Sequence, residues 1–168
     1  MAAGSTYTPI ATTTANGSVN SITFNSFSGY TDLVLIFLGK VSSGSGDLAL
    51  RFNSDTGTNY SNTWLNSQSN GSSGRASSAS SITLTESSYL DTVRDTLNIM
   101  NIMNYSNSNT YKTVLARSNK APTGYAVEAK VGLWRSTSAI TSITLFSTGS
   151  NPNFESGSTF TLYGILAA

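Results

Sequence analysis

Segments of strand length with a period of two, cut apart by turn residues, recur along almost all of this 168-residue chain. Over residues 18–24, Val19, Ser21 and Thr23 alternate with Asn20, Ile22 and Phe24. Asp32–Val41 (DLVLIFLGKV) is a near-continuous apolar run, as expected of a strand buried on both faces. Asp47–Phe52 sets Leu48, Leu50 and Phe52 on one side; the turn Asn53–Asn59 (NSDTGTN) and Tyr60–Leu65 follow, and a hairpin is the simplest account. Leu97–Asn104 leads through a Ser/Asn turn at 106–109 to Thr110–Arg117. In Val127–Trp134, Val127, Ala129, Val131 and Leu133 oppose Glu128, Lys130, Gly132 and Trp134. Ala139–Phe146 and Thr159–Leu166 complete the series, and Pro9, Pro122 and Pro152 lie between segments, where a missing donor does no harm. About nine short strands so spaced predict an all-β chain, an antiparallel β-sandwich of jelly-roll type.

Two stretches break the pattern. Asn66–Ser81 (NSQSNGSSGRASSASS) is low-complexity and nearly devoid of apolar residues, which predicts a long exposed loop. In Glu86–Leu97, Tyr89, Leu90, Val93 and Leu97 fall at helical spacing behind Ser87 and Ser88, so the chain has at most one short helix. Residues 1–17 are polar and unpatterned and read as an extended N-terminal arm. Residues 18–168 then form a single sandwich domain, with one core at this length.

Ser (30), Thr (23), Asn (16) and Gly (14) make up about half of the chain, and the 17 charged residues leave a net charge of +1. Leu, Ile, Val and Phe reach 22% and there are 17 aromatic residues, so the chain folds rather than serving as a solvating tail. With no His and no Cys, a Ser-His-Asp triad, a thiol nucleophile, a disulfide framework and a Cys/His zinc site are excluded. Balanced charge argues against direct nucleic-acid binding by counterion release. The first residues have no basic region or apolar run typical of a secretory signal, and Leu33–Leu38 is far too short to span a bilayer, so no membrane insertion is expected. Expected cofactors and metals are none, and the chain is read as a structural or binding protein, not an enzyme.

Candidate sites are few. Asn53–Asn59 spaces oxygen donors two apart, as Ca²⁺ loops do, but holds one carboxylate and reads better as a turn shaped by Asp55 and Gly57. Asp91 and Asp95 would share a face of the short helix, with Arg94 between them; an acid/base pair needs one of them buried. Lys112, Arg117 and Lys120 form a loose basic group, read as solvated or as rim contacts. Tyr30, Tyr60, Trp64, Tyr89, Tyr105, Tyr111, Tyr125, Trp134 and Tyr163 are scattered about one per strand, as core or inter-strand residues are. Gly132 and Gly164, inside strand patterns, read as bulges. The sequons at Asn16, Asn59, Asn70 and Asn104 are given no role. Tyr7, Pro9, Ile10, Arg75, Trp134 and Arg135 are the candidate partner contacts, Trp134 being the aromatic to test for exposure.

Five segments together carry a resemblance: Tyr30–Phe37 (YTDLVLIF), Arg51–Ser61 (RFNSDTGTNYS), Thr110–Arg117 (TYKTVLAR), Gly132–Leu145 (GLWRSTSAITSITL) and Ser156–Ile165 (SGSTFTLYGI). The chain resembles the β-rich virion structural proteins of tailed phages, in which a closing FTLYGI-type strand recurs. The resemblance brings no catalytic residues. It implies a capsid decoration (cement) protein, a homotrimer on the outer capsid surface of the virion that bridges major capsid protein subunits and is made in the host cytoplasm. An extent from Met1 to just past the last strand, with no shaft or coiled-coil stem, favours that role. The alternative is a tail or head-fibre module that recognises a host by binding surface glycan.

Overall fold

The computed structural model describes residues 6–67, 71–86, 89–120 and 127–166. Among these are twelve strands and no helix: β1 (Tyr7–Thr14), β2 (Ser21–Asn25), β3 (Asp32–Gly39), β4 (Leu48–Phe52), β5 (Tyr60–Asn66), β6 (Ser72–Ala79), β7 (Ile82–Thr83), β8 (Thr96–Ile102), β9 (Lys112–Lys120), β10 (Val127–Trp134), β11 (Ser142–Ser147) and β12 (Thr159–Ile165). They form two sheets, ordered β1-β12-β3-β8-β9-β10-β5-β6 and β2-β11-β4-β7. All pairings are antiparallel, and the inner faces pack together as a β-sandwich. Leaving aside β5, β6, β9 and β10, the order β1-β12-β3-β8 opposite β2-β11-β4-β7 is that of two interlocked Greek keys, and those four strands lengthen the large sheet.

Alternation sets what each strand contributes to the core. Leu33, Leu35 and Phe37 of β3 point inward with Phe160 and Leu162 of β12 and meet Leu48, Leu50 and Phe52 of β4 and Ile143 and Leu145 of β11, all fully buried. Phe37, Phe154 and Phe160 cluster with ring centroids 4.9–5.6 Å apart. On the outer side of β3, Val34 is buried but Leu38 is exposed, so the expectation of a strand buried on both faces holds for only part of its length.

Several sequence expectations are corrected. Residues 7–14 are no free arm: β1 hydrogen-bonds along β12, with a register shift between Pro9 and Ala11. The Ser-rich stretch is no loop over 72–79, where β6 lies as an exposed edge strand against β5; a backbone paired on one side can stay in water when its side chains ask for no burial. Residues 89–97 form no helix. Ser87 and Ser88 lie outside the described residues, Asp91 caps a bend by accepting the Val93 and Arg94 N–H groups at 2.8 Å, and Leu97 already belongs to β8. The turn 53–59 does not close a hairpin, because β4 and β5 belong to different sheets, and it carries the chain round a corner. Gly132 and Gly164 sit in unshifted register, so neither marks a bulge. Each lies under a side chain: a Cβ at Gly132 would meet Ile82 Cγ2 at 2.5 Å, and one at Gly164 would meet Tyr30 at 2.2 Å.

Candidate interaction surface

The strand β10 decides the character of the molecule. Its sequence offers four apolar residues on one face and Glu128, Lys130, Gly132 and Trp134 on the other, and the second set is the buried one. Trp134 is 2% exposed, stacked on Tyr60 at 6.3 Å and packed on Phe52 at 5.5 Å, so this candidate partner contact lies inside the fold. Its indole Nε1–H donates to Asp55 Oδ2 at 2.7 Å. That bond, with a second from Asn59 Nδ2, holds the Asp55 carboxyl below its ordinary range. Since side chains alternate, placing Trp134 inside places Lys130 and Glu128 inside as well.

These charges meet others in a polar corner between the inner faces of β8, β9 and β10 and the segment 84–91. Lys130, 1% exposed, donates to Glu86 Oε1 at 2.7 Å and lies 5.6 Å from the Trp64 ring. Lys120 pairs with Asp91 at 2.7 Å. Ser118 donates to the Leu84 carbonyl, and Asn98 donates to Ser118 and Leu84. Burial, joined by the nearby charges of Glu86 and Asp47, pushes the Glu128 carboxyl up to about 7 against the pull of Lys130. Burial likewise raises Asp47, although Tyr89 N–H and the Thr85 hydroxyl donate to it, and lifts the Tyr89 phenol to about 12.

Asp91 behaves in the opposite way. Burial alone would raise it, but the Lys120 ammonium and the Arg94 and Val93 amides outweigh that and hold it at about 2. A carboxyl held there stays ionised and has no proton to lend near neutral pH, and no helix pairs it with Asp95. The expected basic group is dispersed: Lys112 and Lys120 are buried on the inner face while Arg117 is exposed on the outer one. Lys112 donates to the Thr110 and Thr137 carbonyls, and burial lowers its pKa. In the turn 53–59, Asp55 Oδ1 accepts the Gly57 N–H, and no group of three or more acidic residues among those described could hold a metal.

Inverting β10 turns its apolar face outward. The strands β9, β8 and β3 present apolar residues beside it, so the outer face of the large sheet becomes a charge-poor surface on which apolar side chains outnumber polar ones. Its cross-strand rows follow the register: Leu38, Leu97, Asn119, Val127; then Thr161, Ile36, Ile99, Arg117, Ala129, Leu65; then Tyr163, Val34, Asn101, Leu115, Val131, Thr63. Leu65 and Val127 are 63% and 62% exposed, and Leu38, Leu115 and Val131 are exposed as well. Arg117 is the single formal charge within these rows, with Asp32 at one end of β3 and Arg75 on the edge strand β6.

Of the six expected contacts, three stand on this face: Tyr7 and Pro9 on β1, and Arg75 at the far edge. Tyr7 meets Tyr163 edge to face at 6.4 Å. Ile10 packs toward the core, Trp134 is inside, and Arg135 donates to the Thr58 and Tyr60 carbonyls of the corner turn. Tyr60, Tyr89 and Tyr105 are core residues, Tyr111 is exposed, and Tyr125 and the Asn70 sequon lie outside the described residues. The surface itself was not singled out from sequence. Its signal was the Val127–Leu133 alternation, which marks an apolar face without saying whether a second sheet of the same chain covers it.

No protein-family model matches the chain, and no curated protein does. Among solved structures the chain is similar to a fructofuranosidase from Schwanniomyces occidentalis complexed with fructosylnystose, at 9% identity and a TM-score of 0.36. The match covers 96% of this chain and 33% of that one, so the chain spans about a third of that protein's length. A likeness this slight carries no argument about fold or chemistry.

Proposed function

We propose that the chain is a structural protein of a tailed-phage virion: a decoration protein that sits on the outer capsid surface and bridges major capsid protein subunits. The observation that carries this reading is the broad, charge-poor outer face of the large sheet, a surface suited to being covered by protein. The five segments that resemble β-rich virion proteins supply the phage context. Acting without catalysis or cofactor, such a chain works by mass action, since whatever binds only the assembled shell stabilises it by RT ln(1 + [L]/Kd). A homotrimer that bridges neighbouring subunits adds several weak contacts into one durable attachment.

Purified protein added to stripped phage heads tests this. The expected result is binding at fixed stoichiometry together with a higher temperature of head rupture. No binding to heads, combined with retention on host cells or their polysaccharide, would move the role to the glycan-recognition alternative. The Tyr7–Tyr163 pair at the edge of the face is the observation favouring that second reading, because sugar rings stack on surface aromatics.

A further inference from the structure

We infer that the outer face of the eight-stranded sheet is covered by a second copy of this chain, so that the β8–β9–β10 faces of different copies meet in a homo-oligomer. This rests on the proposed function only in treating the face as a protein interface; it adds the identity of what covers it.

Area is the first support. The six strands that carry these rows, β12 to β5, lie about 4.8 Å apart and run about seven residues at ~3.3 Å each, a face of roughly 650 Å². Specific protein interfaces take roughly 600–1,000 Å² from each partner, so this face is large enough to form one.

Shape and charge then point to a copy of the same chain. Stacked sheets fit when their twists match, and a copy carries the same twist by construction. Arg117 stands among apolar neighbours, with Ile99 opposite on β8 and Ala129 opposite on β10, and Asp32 lies two strands away on β3. Where the same face of each copy meets around a symmetry axis, Arg117 of one copy can meet Asp32 of the next, and the pair recurs once per copy. The net charge of +1 gives copies little mutual repulsion. The sheet edges offer a poorer route: β1 carries Pro9 and a register shift, and β6 is polar with Arg75 on it.

The mass of the isolated chain in solution, by light scattering up to about 100 µM, tests the inference. A mass two or three times 17.6 kDa is expected, since a stacked pair and a three-membered ring both bury this face. The Leu115→Glu, Val131→Glu double variant should then run as a 17.6 kDa species while keeping its β-sheet circular dichroism. Should that variant fail to fold, single cysteines serve instead, because the chain has none of its own. Leu115→Cys should cross-link to double mass with a short bismaleimide, and Thr23→Cys, exposed on the smaller sheet, should not. A wild-type chain that stays at 17.6 kDa, or equal cross-linking from both cysteines, overturns the inference. An oligomer that ignores phage heads removes the decoration role alone, and a monomer that binds them removes this inference alone.

Discussion

The inner layer of the large sheet has two halves built on different chemistry. Under β12 and β3 it is hydrocarbon throughout, with Phe160, Leu162, Leu33, Leu35 and Phe37 fully buried against the smaller sheet. Toward one end of β9 and β10 the same layer holds Ser118, Lys120, Glu128 and Lys130, equally hidden but packed against Leu84, Glu86 and Asp91 instead of against strands. In the first half burial itself stabilises, at roughly 25 cal/mol per Å². In the second, the attraction between paired charges is offset by the cost of taking them out of water, so the corner specifies which way β10 faces more than it adds stability. Equal burial in two halves of one sheet therefore does not mean equal contribution.

The largest expected effect lies in the hydrocarbon half. Phe37→Ala leaves a cavity against Phe154 and Phe160 and should cost about 3–5 kcal/mol in denaturant unfolding. In the polar corner, Lys130→Ala strands Glu86 beside Glu128 and should cost about 3 kcal/mol. Pairing Lys130→Met with Glu86→Leu should recover most of that loss. A double variant as unstable as the single one would show that the corner stabilises in its own right, and the contrast between the halves would fail.

Gly132→Ala tests the seam, where Ile82 of the smaller sheet rests on β10. A Cβ there meets Ile82 at 2.5 Å and should cost about 1–3 kcal/mol, with Ile82→Ala in the same chain relieving part of it. The polar half answers acid and base through two groups of opposite sense. Glu128 is raised from 4.5 to about 7, so the folded chain holds a proton that the unfolded one has lost, and stability falls as pH rises across that window. Asp91, lowered from 3.8 to about 2, contributes stability that is present above 3.8 and lost as pH falls toward 2. Chemical unfolding of Glu128→Gln should show a flatter profile from pH 4.5 to 7 and greater stability at pH 8 than the parent chain. An unchanged slope would place the proton elsewhere. The smallest effect is expected outside both halves: Thr144→Ala removes one exposed hydroxyl contact with Thr23 and should stay within about 0.5 kcal/mol.

Much of the architecture was legible in local pattern. The segments at Thr96–Ile102, Lys112–Lys120, Val127–Trp134 and Thr159–Ile165 show their period because alternation is a property of the strand itself, and Asp32–Gly39 shows as an apolar run of strand length. The edge strands were harder to see. Ser72–Ala79 carries no apolar signal because it buries almost nothing, and Tyr7–Thr14 reads as an arm because its partner, β12, lies at the far end of the chain. The 86–97 stretch misled for a related reason, since Tyr89 and Leu90 are buried by the fold around them and not by a helical stripe. The outer face was visible only as an ambiguity in β10.

By itself the sequence determined an all-β chain, because period-two hydropathy and turn residues act over a few neighbouring positions. It also settled the absence of imidazole and thiol chemistry, which is a matter of composition. Tertiary structure alone decided which side of β10 is inside. Both sides can be buried, and the choice falls to contacts that no local window holds: Trp134 between Tyr60 and Phe52, Ile82 upon Gly132, and Lys130 against Glu86, forty-four residues away. That decision sends the valines outward and gives the molecule its apolar face.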